Sequence, residues 1–268
     1  MTEPAAPWRP PELLVRTLVA LGLIATALIA VLIGGWVFWL VVSLLALFML
    51  GEWAQIVDAS PRRRQLALLT LVVPLTIMSP AGAGPGFFAL GLVFGAAFFV
   101  VIVSRLPWLA AGILYVGIPV LALLLIRRMP EYGLLYALWT LALVWMCDIG
   151  AYFAGRAFGG VRLAPVISPN KTWAGLVGGV VLASLFALFL HNMFGLAMRL
   201  TLATPVLALI AQGGDLFESW LKRRAGRKDS GTLFPGHGGV LDRLDGLVPV
   251  APAAAFLAVV VPKLYGLL

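Results

Sequence analysis

"DLFESWLKRRAGRKDSGTLFPGHGGVLDRLD", residues 215–245, holds eleven charged side chains in 31 residues. The chain around it is mostly apolar. Of 268 residues, 62% are hydrophobic and 11% are charged, against about a quarter charged in a soluble domain. Polar side chains are too scarce to cover a surface in water, so the chain belongs in a bilayer. Eleven charges at roughly 3 kcal/mol each would cost on the order of 30 kcal/mol at the membrane centre. The segment is therefore a loop on one side or the lining of a wet cavity, and the apolar runs outside it are the spans.

Working outward, runs of about 20 apolar residues recur between short polar or Gly-Pro breaks. They predict spans near 14–33, 35–56, 65–80, 86–104, 108–126, 132–152, 173–195, 200–217 and 246–265. The expected fold is all-α, a polytopic bundle of about nine transmembrane helices. The triplet Arg62, Arg63 and Arg64 places the loop after the second span in the cytoplasm. Alternation then puts 15 of the 19 Lys and Arg on the inside, with Arg127, Arg128, Arg199 and Lys263 as exceptions. The start, "MTEPAAPWRPPELLVRTL", has early prolines with Glu3 and Glu12, and the apolar run that follows is too long for a signal peptide. A short cytoplasmic arm is expected there.

The single cysteine, Cys147, and the two histidines, His191 and His237, exclude an intrachain disulfide and a Cys- or His-rich metal site. A net charge of +8 in such a chain points to cytoplasmic loops and anionic partners at the membrane rather than to nucleic acid. The glycines of "GLVGGV", residues 175–180, suit close helix–helix approach.

Five of the eleven carboxylates fall between residues 215 and 245. On a helix, Asp215, Glu218, Ser219 and Lys222 share one face, at i, i+3, i+4 and i+7. Asp242 and Asp245 also share a face if a helix starts near Val240. Two acid pairs meeting at span ends would form a hard-oxygen site suited to Mg²⁺; a salt-bridge network is the alternative. In "PGHGG" the glycines permit positive φ and let backbone N–H groups approach an anion. His237 would contact a phosphate or brace the turn. "KRRAGRKD" supplies cations for a polyphosphate or for lipid headgroups.

A second constellation is "DIGAYFAGRAFGGVRLAPVISPNKTWAG", residues 148–175. Asp148 and Tyr152 share a helix face. An ionisable group inside a span is a functional candidate, although a lone aspartate hydrogen-bonded between helices would read the same. "SPNKTW" reads as a helix start, with Ser168 as N-cap and Pro169 at the first helical position. Free N–H groups there favour phosphate, and Lys171 and Thr172 would add a charge and a hydroxyl.

The stretch "ESWLKRRAGRKDSGTLFPGHGGVLDRLDG", residues 218–246, resembles the signature of the phosphatidate cytidylyltransferases. Ser219, Lys222–Arg223, Lys228–Asp229, Pro235, His237–Gly238–Gly239 and Asp242–Arg243–x–Asp245 fall in register without a gap. "CDIGAYFAGRAFG" and "SPNKTWAG" resemble the family's upstream motifs, so the likeness covers residues 148–246. Asn170 and Ala174 depart from it, standing where members often carry a lysine and an acid.

The resemblance implies that CTP and phosphatidate give CDP-diacylglycerol and pyrophosphate, with Mg²⁺ required. It assigns Asp215, Asp242 and Asp245 to the metal. Lys222, Arg223 and Lys228 would hold phosphates of CTP or lipid, and Ser168, Lys171 and Thr172 would close the nucleotide side. Ser219, His237, Gly238, Gly239 and Arg243 would be further substrate contacts, with Asp148 and Asp229 behind them. Residues 1–130 would anchor the protein and offer a lipid entrance. Residues 131–268 would be the catalytic region, with cytoplasmic-side loops 153–172 and 218–245. The expected setting is a bacterial inner membrane with the site facing the cytoplasm. The partners would be CTP, phosphatidate and the bilayer, with no nucleic acid; the oligomeric state stays open, a homodimer included. Two rival functions remain: a transporter of anionic metabolites, and a CTP-dependent polyprenol kinase, which would release CDP instead of pyrophosphate.

Overall fold

In hydrocarbon a backbone must satisfy its own hydrogen bonds, and each apolar run here does so as a helix. The computed structural model describes residues 12–231 and 238–264; the expected N-terminal arm and His237 lie outside them. The helices are α1 (Glu12–Ile33), α2 (Gly35–Ile56), α3 (Pro61–Ile77), α4 (Phe87–Ser104), α5 (Pro107–Arg127) and α6 (Gly133–Phe158). A hairpin of β1 (Arg162–Ala164) and β2 (Ser168–Thr172) follows, then α7 (Trp173–Phe194), α8 (Met198–Arg224), α9 (Leu241–Leu244), α10 (Leu247–Ala255), a π-helical turn Phe256–Val260, and α11 (Val261–Leu264).

Among the described residues, α2, α4, α5, α6, α7 and α8 are long and apolar enough to cross a membrane. The chain is thus a mostly helical, multi-pass membrane protein. The other three expected spans are not among these. Leu21–Ile33 and Leu247–Val260 are short apolar helices, and α3 spends its first turn on Arg62, Arg63 and Arg64.

Two local expectations change. "SPNK" is an antiparallel strand rather than a helix start, with Arg162 opposite Thr172 and Ala164 opposite Ser168. Helix α7 begins later, at Trp173, and its N-cap is Thr172, whose Oγ1 accepts the N–H of Gly175 at 3.0 Å. Ser168 is therefore not the cap. Proline fits the first position of a helix, but it also fits the edge of a two-stranded sheet, where no ladder bond is lost. Helix α8 also runs beyond the expected end at residue 217, to Arg224. Its polar face continues, and Lys222, Arg223 and Arg224 in the last turn oppose the helix dipole. The Arg224 guanidinium lies over the rings of Trp108 and Trp220, at 5.4 and 5.6 Å.

Arg127, one of the exceptions to charge asymmetry, has a structural use. Its Nε donates to Val31 O at 2.7 Å and its Nη2 to Leu32 O at 3.3 Å. These are carbonyls at the end of α1, where a helix has no partner of its own. Its charge caps a helix, so its position need not follow the topology rule.

The bundle's core is α5, packed against α2, α4 and α10. Trp53 is buried on α2 and donates through Nε1 to Trp108 O at 2.7 Å. Helices α6 and α7 pack through small residues: Gly178 lies against Ala154 and Gly150, and Gly179 against Cys147. Cys147 is buried there, as its apolar setting predicts. Helix α10 packs against α5 and α8, and Gly214 of α8 abuts the backbone of Asp245. That contact brings the Asp242–Asp245 segment onto the polar end of α8.

Candidate active site

The polar end of α8 gathers side chains from three other elements. Lys171, on β2, forms an ion pair with Asp215 Oδ2 and donates to Gln212 Oε1 at 3.2 Å. Gln212 is buried and its Nε2 donates to Cys147 Sγ at 3.5 Å. Ser219, one turn beyond Asp215, donates to Asp215 Oδ1 at 3.5 Å. The hairpin is tied to α8 again through Arg223, whose Nε donates to Ile167 O at 3.5 Å.

One turn further on, Lys222 lies between two acids. Its Nζ is 2.7 Å from Glu218 Oε2 and 2.5 Å from Asp242 Oδ1. Glu218 is 1% exposed. Neither of its oxygens accepts a well-angled hydrogen bond among the described residues, so its contact with Lys222 is an ion pair and no more.

Asp242 is more fully held than the expected metal role needs. Oδ1 accepts Lys222, while Oδ2 accepts the N–H of Ser230 at 3.0 Å and the N–H of Gly239 at 2.8 Å, and the Ser230 hydroxyl oxygen lies 3.0 Å from it. Burial would raise its carboxyl, but Lys222 and the N–H groups of Gly239 and Ser230 outweigh that and hold it below the ordinary range. Of the glycine turn, the described Gly239 gives its N–H to the protein's own Asp242. Gly238 has φ +76°, and a Cβ there would strike Asp242 Oδ2.

Asp245 differs, although α9 presents both acids. Among the described residues it accepts one hydrogen bond, from the N–H of Gly246 at 2.7 Å. Burial, then the carboxylates of Asp215 and Glu218, push its carboxyl well above the ordinary range. Asp148, on α6, lies within electrostatic reach of Asp215, Lys171 and Arg243. So Asp215, Asp245 and Asp148 share one region, and Asp242 belongs to the Lys222 knot beside it.

This donor set suits Mg²⁺ in a particular way. No group of three His, Cys, Asp or Glu side chains forms a ready cage among the described residues. Mg²⁺ at phosphate-transfer sites usually takes one or two carboxylates, with waters and substrate phosphates completing the shell. The like-charged pair Asp215 and Asp245 fits that pattern, while the carboxylate of Asp242 already accepts from Lys222, Ser230 and Gly239.

Of the other candidates, Thr172 caps α7 and Ser168 is in the hairpin. Lys228 and Asp229 are exposed after α8 and form no ion pair among the described residues. Arg243 projects from α9. Three residues escaped the motif search: Gln212, Ser230 and Glu52. Glu52 had a signal of its own, as a carboxylate inside an apolar span, which is a functional candidate on cost alone.

Residues 14–261 match the Cytidylyltransferase family. Several curated relatives are named phosphatidate cytidylyltransferase. That of Brucella suis is 49% identical over 148 residues, covering 54% of this chain and 54% of the relative. That of Bacillus subtilis is 40% identical over 157 residues, or 58% of each. That of Rickettsia felis is 36% identical over 202 residues, covering 70% of this chain and 88% of the relative. The chain thus spans about half the length of the Brucella relatives it matches.

Proposed function

The chain belongs to the cytidylyltransferase family, and from that premise we propose that it is a phosphatidate cytidylyltransferase. The observation that carries this reading is the pair of acid-held lysines, Lys171 and Lys222, beside the carboxylates of Asp215 and Asp245 at the end of a membrane helix. An ammonium has three N–H donors. Lys222 donates to Asp242 and pairs with Glu218, and Lys171 donates to Gln212 and pairs with Asp215, which leaves each ammonium an N–H for a phosphate oxygen.

The reaction suits these groups. A phosphate oxygen of phosphatidate attacks the α-phosphorus of CTP. The new P–O bond forms as the bond to the bridging β-oxygen breaks, and pyrophosphate leaves. A phosphomonoester has its second pKa near 6, so the nucleophile is already largely ionised at neutral pH and needs no strong base. The main barrier is bringing two anions together in line. Lys171 and Lys222 lower it by donating to phosphate oxygens, and their acidic partners hold each ammonium in place. Asp215 and Asp245 would hold Mg²⁺, which when bound would neutralise charge on the CTP phosphates. Asp242 keeps Lys222 in position. Arg243, Arg223 and Lys228 add positive charge for the two anionic substrates.

Nine crossings, with the N-terminus and this site on the cytoplasmic face of a bacterial inner membrane, agree with the arginine triplet and with delivery of CTP from the cytoplasm. The test is purified protein in detergent with phosphatidate, Mg²⁺ and CTP labelled in the α-phosphate. Labelled CDP-lipid and an equal amount of pyrophosphate are expected. CDP with a phosphorylated lipid from a parallel reaction on a polyprenol would identify a kinase instead, and no lipid product in either reaction would refute both enzymes.

A further inference from the structure

Glu52 lies on α2, 178 to 189 residues from its partners in the chain, and outside every motif noted above. It is 6% exposed. Its Oε1 accepts the N–H of Val240 at 2.9 Å. Its Oε2 accepts the N–H of Leu241 and the Ser230 hydroxyl, both at 2.8 Å. The polypeptide is closely fitted here: a Cβ on Gly231 would stand 2.6 Å from Oε1, and one on Gly239 would strike both Oε2 and Ser230 Oγ.

Two features connect this carboxylate to the chemistry. Val240 and Leu241 open α9, and the first N–H groups of a helix have no partner within it. Glu52 takes these two, which sets where α9 starts and so where Asp242 points. The second is Ser230. Its one hydroxyl lies 2.8 Å from Glu52 Oε2 and 3.0 Å from Asp242 Oδ2, a bridge between the two carboxylates. Asp242 in turn holds Lys222 at 2.5 Å.

We propose that Glu52 is a positioning residue of the active site. From an N-terminal helix it fixes the start of α9 and, through Ser230 and Asp242, the placement of Lys222. The inference rests on the reaction proposed above.

The test uses Glu52→Gln and Ser230→Ala in the full-length enzyme, assayed in detergent with CTP, phosphatidate and Mg²⁺. The amide keeps the shape of Glu52 but turns an NH₂ toward donors that need an acceptor. In Glu52→Gln, kcat per CTP-binding molecule should fall about 10- to 100-fold, with KM for CTP changed by less than about threefold. A purely structural role would lower the melting midpoint and the active fraction while sparing kcat per binding molecule. Ser230→Ala leaves both backbone bonds to Glu52 and removes only the bridge. It should cost about 3- to 10-fold in kcat, and the double variant should lose less than the product of the two effects, because both act through Asp242. Wild-type kcat in both variants, or fully multiplicative losses, would overturn the proposal. If Glu52→Gln does not fold, wild-type kcat in Ser230→Ala overturns it and a reduced kcat supports it. If the wild-type protein makes no CDP-lipid, the reaction fails and the inference with it; an active wild type matched by both variants refutes only the positioning role.

Discussion

Lys222 Nζ and Asp242 Oδ1 are 2.5 Å apart, and Glu218 closes on the same ammonium from the other side at 2.7 Å. The three side chains are 12%, 7% and 1% exposed. One half-buried cation thus holds a buried anion and a half-buried one, and the balance depends on it.

Lys222→Met should therefore do two kinds of damage. Two carboxylates lose their counter-ion, a loss of about 3–5 kcal/mol for a broken buried pair, seen as a lowered melting midpoint in detergent. Activity should fall at least about 100-fold. Adding Glu218→Gln should restore much of the midpoint and none of the activity. Recovery of both would make Lys222 structural only.

Asp242 and Asp245 should separate in a Mg²⁺ titration. Asp245→Asn removes a proposed ligand and should raise the half-saturating Mg²⁺ concentration about tenfold or more, about 1.4 kcal/mol per tenfold. Asp242→Asn should cut kcat about 100-fold while moving half-saturation by less than about threefold. Equal shifts in the two variants would return Asp242 to the metal.

Acid stability gives a separate check on Asp242. Its carboxyl is held below the ordinary range in the fold and returns to about 3.9 on unfolding. The ionised form therefore contributes stability above that value, and the contribution is lost as pH falls below it, through the folded pKa. The melting midpoint of wild-type protein should drop below about pH 4. Asp242→Asn should start lower at neutral pH and lose less on acidification. Parallel curves would contradict the lowered pKa.

Lys171 joins the hairpin to α8 through Asp215 and Gln212. Lys171→Met should raise KM for CTP about tenfold and lower kcat as well, because one phosphate donor and the partner of Asp215 are lost together. An unchanged kcat/KM would exclude a role in nucleotide binding.

At the α6–α7 contact the helices meet through hydrogen atoms. A Cβ on Gly178 would strike Ala154 and stand 2.9 Å from Gly150 O. Gly178→Val should force the helices apart at a cost of about 1–3 kcal/mol, measured as a lower melting midpoint. Gly195→Ala, with open space around its Cβ but φ +74°, should cost only about 1 kcal/mol of backbone strain.

The apolar runs were enough to locate the helices, because a bilayer leaves a backbone few other choices. The expected span at 35–56 coincides with α2, and 108–126 lies within α5. The acidic spacing on α8 was legible for the same reason, since helical periodicity is local. The signature 218–246 also pointed to the family that the comparisons support.

What the tertiary structure alone decided is which partner each polar group found. Ser168 went to a strand and Thr172 to the cap, since either could begin a helix by local rules. Asp242 and Asp245, three residues apart on one short helix, parted company: one met Lys222, Ser230 and Gly239, the other met mainly like charge. Glu52 reached the site across 188 residues of chain. Hydrophobic length and helical period are properties of neighbouring residues and can be read along the chain. Hydrogen bonds and ion pairs within a packed bundle depend on distances in space, and those exist only after the helices have come together.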